Sequence, residues 1–184
     1  MPPVRNLPPG YTIAYPNRDK AASKASKAIV VLLLLVSVVL MLVVTIGGWT
    51  KLEGQEPLNF ILIFLYLFFA FFIIRWQRGL LPIAAAVAIL LLILAAIAGT
   101  GAAGTSWFDR NKAGFGPTGS LFGGGGLSPD VLGIATLLLV PVQALVVFFS
   151  IQAFSQGWNV EVEVPIDQSR RGGAAPSSVN PAAV

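Results

Sequence analysis

Residues 28–46 read AIVVLLLLVSVVLMLVVTI, without one Asp, Glu, Lys or Arg. At about 1.5 Å of rise per residue, such a run covers the ~30 Å hydrocarbon core of a bilayer. Lipid offers no hydrogen bonds, so the backbone must satisfy itself inside the segment, which selects a helix. Three more uncharged runs follow at 58–74, 80–98 and 131–151. The chain therefore reads as an all-α integral membrane protein with four transmembrane helices. The spans fall at about 28–48, 58–76, 80–99 and 130–154, within a bundle at 28–157. The first run reads as a retained span rather than a cleaved signal, because 27 residues precede it and no small-x-small site follows.

Composition points the same way. Of 184 residues, 55% are hydrophobic and only 11% charged, and the mean hydropathy is +0.79. The chain has neither histidine nor cysteine. That removes the commonest general base, thiolate nucleophiles and the usual zinc and haem ligands. No catalytic residue, metal site or cofactor is expected, and the chain is not read as an enzyme. The net charge of +4 would suggest nucleic acid in a soluble chain. Here the cations flank apolar runs, so the reading is topology and no nucleic-acid partner.

Nine of the 12 Lys and Arg lie on one side of the four runs: Arg5, Arg18, Lys20, Lys24, Lys27, Arg75, Arg78, Arg170 and Arg171. Lys51, Arg110 and Lys112 lie on the other, while the acids divide evenly. The positive-inside rule then puts both termini in the cytoplasm of a plasma (inner) membrane. Lys20, Lys24, Lys27, Arg75, Arg78, Arg170 and Arg171 are the topology determinants. The short links 49–57 and 75–79 predict two hairpins, with the second and third helices as close antiparallel neighbours.

The ends differ in character. Residues 1–27 form a Pro-rich, basic segment whose first 20 residues are expected to stay extended, while 21–27 continues the first helix into the headgroup region. Residues 158–184 form a tail, with WNVEVEVP at 158–165 alternating apolar and acidic residues like a strand. A strand needs a partner, either another chain or a second copy; the alternative is a plain extended tail. Beyond it, Arg, Gly, Ala, Pro and Ser predict disorder.

Three places invite a functional reading. In the fourth span, Pro141 and Gln143 near mid-membrane, with Thr136, suggest either a hinge and polar site or a fixed kink with Gln143 as interhelical glue. The 31-residue loop 100–130 holds nine glycines and the stretch with Trp107, Phe108, Asp109, Arg110 and Phe115. Those residues read as an outer-loop contact, either anchored in the interface or bound to a partner. Gly123–Gly126 reads as a flexible hinge. Finally, alanines spaced four apart in the third span predict a packing face, and the Phe-rich second span predicts an outward-facing helix.

No ionisable group besides Tyr66 lies at membrane depth, which argues against a pump or ion carrier. The preferred reading is a non-catalytic accessory or scaffold subunit of a larger membrane complex, whose partners are the lipid bilayer and other membrane subunits or itself. The alternative is a self-assembled pore or small-solute permease lined by Pro141, Gln143 and Thr136. A third reading makes the Pro-rich head and basic tail an interaction module on a membrane anchor.

Overall fold

A computed structural model describes residues 8–52, 54–102, 104, 106–111 and 116–167. Four long helices dominate: α1 (Ala21–Gly47), α2 (Glu56–Ile74), α3 (Leu81–Thr100) and α4 (Pro129–Ser155). All four are long and apolar enough to cross a membrane. The helix starts are written locally. Pro57 and Pro82 occupy first-turn positions of α2 and α3, where a missing N–H costs nothing. Ser128 caps α4, its hydroxyl accepting from the Val131 N–H at 3.4 Å, with Pro129 and Asp130 completing the first turn.

Buried positions recur at alternating spacings of three and four. They include Val30, Leu34, Ser37, Met41 and Val44 on α1; Leu62, Tyr66, Phe69 and Ile73 on α2; and Leu81, Ala84, Ala88, Leu91 and Ala95 on α3. On α4 the apolar positions Leu132, Leu139, Val146 and Ala153 interleave with Thr136, Gln143 and Ser150. That spacing keeps one seam of each helix turned inward along its whole length. The opposite faces expose Leu32, Phe64, Ile93 and Phe148.

Packing among the helices is uneven. α4 makes its most extensive contact with α3 and its next with α1, and α1 also packs on α2. The small face of α3 explains the first preference: Gly99 lies so close to Leu137 of α4 that a Cβ would overlap that side chain. Close approach of small residues maximises dispersion contact, a main source of association in lipid. Against expectation from their short link, the backbones of α2 and α3 come near each other at only a few positions. Each has a better partner, α1 for the bulky α2 and α4 for the alanine-rich α3.

The chain ends depart from the sequence reading. Tyr11–Ala14 forms β1, and it pairs antiparallel with β2 (Val162–Pro165) in the register Tyr11↔Pro165 to Ala14↔Val162. The strand partner is thus the head of the same chain, and part of the Pro-rich segment is structured. YTIA is the proline-free window between Pro9 and Pro16, so its N–H groups can join a ladder. Both ends of the described chain meet at one end of the bundle.

The glycines at 123–126 are a turn rather than a hinge. Gly119 and Gly125 form an antiparallel bridge, and the folded loop caps α1: the Leu121 and Leu127 N–H groups donate to the Ile46 and Gly47 carbonyls at 3.1 and 2.9 Å. Those carbonyls have no acceptor role left within the helix, so the loop satisfies them. A Cβ on Gly126 would strike the Gly47 carbonyl.

Candidate functional site

Three clusters of side chains stand out along the bundle: a polar knot at mid-height, a cavity toward the end that carries the glycine loop, and an aromatic and basic cap at the ribbon end.

The knot joins three helices. Tyr66 on α2 donates its phenolic hydrogen to Gln143 Oε1 on α4 at 2.6 Å. Gln143 Nε2 donates to Ser37 Oγ on α1 at 2.8 Å, and Ser37 in turn donates to the Leu33 carbonyl at 2.8 Å. All three side chains are fully buried. Each group is used in its natural sense: the phenol and amide donate, and the amide oxygen and hydroxyl accept.

Pro141 does not belong to this knot. Two residues apart on a helix means nearly opposite faces. Pro141 is accordingly exposed on the outside of α4, while Gln143 points to the core. Thr136 shares the Gln143 face seven residues away, and its hydroxyl donates to the Leu132 carbonyl at 2.8 Å. Of the sequence-selected trio, only Gln143 and Thr136 share a face, and they serve different surroundings.

Toward the loop end, the separation of α2 from α3 leaves a cavity of about 430 Å³. Its walls include Leu62 and Asn59 from α2, Leu91 and Ala95 from α3, and Thr136 and Leu139 from α4. Lys51, Gln55, Trp107 and Arg110 complete its outer end. Leu58, Leu94 and Ile97 line it and are exposed, so it opens sideways, out of the bundle.

The outer-loop residues are arranged to shape that end. Ser106 and Asp109 form a reciprocal capping box at the start of the short 3₁₀ segment Phe108–Asn111: Asp109 Oδ2 accepts from the Ser106 N–H at 3.2 Å and from Ser106 Oγ at 2.8 Å, and Ser106 Oγ accepts from the Asp109 N–H at 3.3 Å. Trp107 is buried against Val44, Leu52, Leu132 and Ala135, not displayed for an outside partner. Phe108 is half-buried and fits against Gly133 of α4. Arg110 stacks over the Trp107 ring at 4.7 Å from its centroid and donates to the Lys51 carbonyl. Phe115 lies outside the described residues. Among the described residues of this loop, the exposed aromatic is Phe122, which the sequence reading did not select.

At the ribbon end, Trp158 is fully buried and packs edge-to-face on Trp76 at 5.2 Å between centroids. Trp76 sits in the α2–α3 link with φ of 65°, a left-handed conformation that is unusual for a bulky side chain. Lys27 covers its ring at 3.7 Å, and Arg18 binds the far side of the cluster through the Trp158 carbonyl at 3.3 Å and Asn159 Oδ1 at 2.9 Å. Arg78 donates to the Phe154 carbonyl at 2.8 Å, and Arg75 lies over Phe71 at 4.4 Å. Lys24 approaches Asp19 at 3.8 Å, an exposed pair of negligible energetic weight. Lys20 is exposed beside them. Thus Lys27, Arg75 and Arg78 bind aromatic rings and helix ends besides carrying charge. Arg170 and Arg171 lie outside the described residues.

The knot had a legible signal. Ser37 and Tyr66 are the midpoints of the runs 28–46 and 58–74, and Gln143 is near the midpoint of 131–151, so the three share a depth. Trp158 and the cavity had none, since one depends on how the tail folds back and the other on a void between two helices. No protein-family model, curated protein or solved structure matches this chain.

Proposed function

We propose that this chain is a non-catalytic, multi-pass membrane protein that acts as an accessory or scaffold subunit of a larger membrane assembly. In this reading the four spans include two hairpins, α1 with α2 through the link 49–57 and α2 with α3 through the link 75–79, in a plasma (inner) membrane with both termini cytoplasmic. The extensive α1–α2 contact supports the first hairpin, whereas α2 and α3 are joined by a short link and come near each other at only a few positions. Arg18, Lys20, Lys24, Lys27, Arg75 and Arg78 at the ribbon end, against Lys51 and Arg110 at the other, support the orientation.

One observation carries the role. The polar side chains at the middle of α1, α2 and α4 are spent on one another in a fully buried knot. A conducting path needs polar groups that face water or solute; these hold helices together. Meanwhile Phe60, Phe64, Phe68 and Phe71 leave one side of α2 apolar and exposed, a surface suited to lipid or to a neighbouring span.

Purification of the tagged native protein in mild detergent, with particle mass and identification of co-purifying chains, tests the proposal. Stoichiometric foreign subunits are expected. A homo-oligomer that conducts solute in vesicles, and stops doing so with Gln143→Leu while staying folded, overturns it in favour of a pore.

A further inference from the structure

We infer that the outer face of α2 at the ribbon end binds one anionic phospholipid, with its phosphate at Arg75 and Lys27 and an acyl chain along Phe71, Phe68 and Phe64. The inference needs the spans to lie in a bilayer, but neither the accessory role nor the orientation of the chain.

Sequence spacing builds the apolar part. Phe64, Phe68, Phe71 and Arg75 follow one another at intervals of four, three and four, so they share one face of α2 and its C-cap. That face points away from the bundle: the three rings and Arg75 are all exposed. The Arg75 guanidinium lies over the Phe71 ring at 4.4 Å, which holds the charge against the last turn of the span. From Phe64 to Arg75 the helix rises about 16 Å, about half of the ~30 Å hydrocarbon core. The face is thus an apolar stripe one leaflet deep with a cation at its head.

The charge at that head is not neutralised from within. Among the described residues Arg75 makes no hydrogen bond or ion pair, so its N–H fork is open to a ligand. Lys27 lies over Trp76 and donates one hydrogen to the Ile74 carbonyl at 3.4 Å, which brings its ammonium to the same helix end with two hydrogens to spare. The acids of this end are engaged elsewhere or stand out on the tail. Asp19 approaches Lys24, Glu161 accepts from the Tyr15 hydroxyl at 3.2 Å, and Glu163 and Asp167 are exposed on and after β2. Residues 1–7 and 168–184 add Arg5, Arg170 and Arg171 and no Asp or Glu, so the sequence supplies this end with no further acidic side chain. Arg78 is spent on the Phe154 carbonyl of α4 and is not included. A guanidinium at the edge of hydrocarbon is costly without an anion, and a phosphate supplies two oxygens in the geometry of its fork. Arg75 and Lys27 above a stripe of exposed rings match a phosphate above an acyl chain.

The test uses the full chain reconstituted in nanodiscs of equimolar phosphatidylglycerol and phosphatidylcholine, then released into mild detergent for native mass spectrometry. The two leaflets are alike, so the direction of insertion does not enter. One phosphatidylglycerol should remain per chain, enriched about tenfold over phosphatidylcholine, the scale for more than one cation at a membrane surface. Arg75→Gln should lower that enrichment by about threefold, and Lys27→Gln/Arg75→Gln should abolish it. Phe64→Ala/Phe71→Ala should retain less phosphatidylglycerol, and Lys51→Gln, at the other end of the bundle, should retain as much as the wild type. Equal retention of the two lipids by the wild type overturns the inference. So does undiminished enrichment in Arg75→Gln, or a loss with Lys51→Gln, either of which would place the lipid elsewhere. If Lys27→Gln/Arg75→Gln fails to fold because Lys27 also supports Trp76, Arg75→Gln decides, since it removes no hydrogen bond seen in the fold.

Discussion

Tyr66 and Gln143 lie 77 positions apart in sequence, yet the phenol of one donates to the amide oxygen of the other at 2.6 Å, at the centre of the bundle. Since Gln143 also donates to Ser37, removing its amide leaves two buried groups without their partner. Gln143→Leu should therefore destabilise the bundle by about 1–2 kcal/mol, the upper end for interhelical hydrogen bonds in membranes. Tyr66→Phe should cost less, and the two changes combined should cost less than their sum, because they delete one shared bond. Unfolding midpoints in detergent give the cycle; strictly additive effects would contradict the knot.

Trp76 carries a left-handed backbone, which costs an L-residue about 1–2 kcal/mol and glycine nothing. Its ring is retained for contact with Trp158 and Lys27. Trp76→Ala loses the contacts and keeps the strain, while Trp76→Gly loses the contacts and relieves it. The glycine variant should be the more stable of the two by about 1 kcal/mol. Thermal denaturation of the purified variants checks the order, and the reverse order would remove strain from the account.

The pairing of β1 with β2 is small, and a two-stranded ribbon is marginal by itself. Arg18 and Asn17, which bind the Trp158 and Gly157 carbonyls, connect it to the bundle. Arg18→Ala should speed hydrogen exchange at the Val162 to Val164 amides and leave the four helices protected. Unchanged exchange there would mean that the strands hold without the anchor.

Because the chain has no cysteine, any introduced one is a unique label. Phe122→Cys, on the exposed loop turn, should react with a membrane-impermeant maleimide on intact cells. Glu163→Cys, exposed on β2, should react only after permeabilisation. The opposite pattern would invert the proposed orientation.

Gly126 meets the Gly47 carbonyl where the loop closes over α1, so Gly126→Ala must push the loop away. The carbonyl of the buried Gly47 at the end of α1 would then lose the Leu127 bond, a loss of about 1–3 kcal/mol for a buried group left without its partner. Stability measurements should show this cost, and Gly123→Ala, with open space around its Cβ position but a left-handed φ of 88°, isolates the contribution of backbone strain alone.

The sequence alone determined what each segment must do for itself in lipid. A backbone that cannot bond to lipid has to be helical, and an uncharged run long enough to cross has to start and stop at its own prolines, caps and cations. Four helices, the Ser128 cap and the equal depth of Ser37, Tyr66 and Gln143 follow from that local requirement. Tertiary structure alone decided which helices touch. In lipid, burial gives no sign of which apolar face meets which, since hydrocarbon surrounds them all; shape complementarity chooses. It paired the small face of α3 with α4, left α2 and α3 apart around a cavity, and brought Tyr11–Ala14 to Val162–Pro165. Those outcomes join residues distant in the chain, and no local pattern encodes the distance between them.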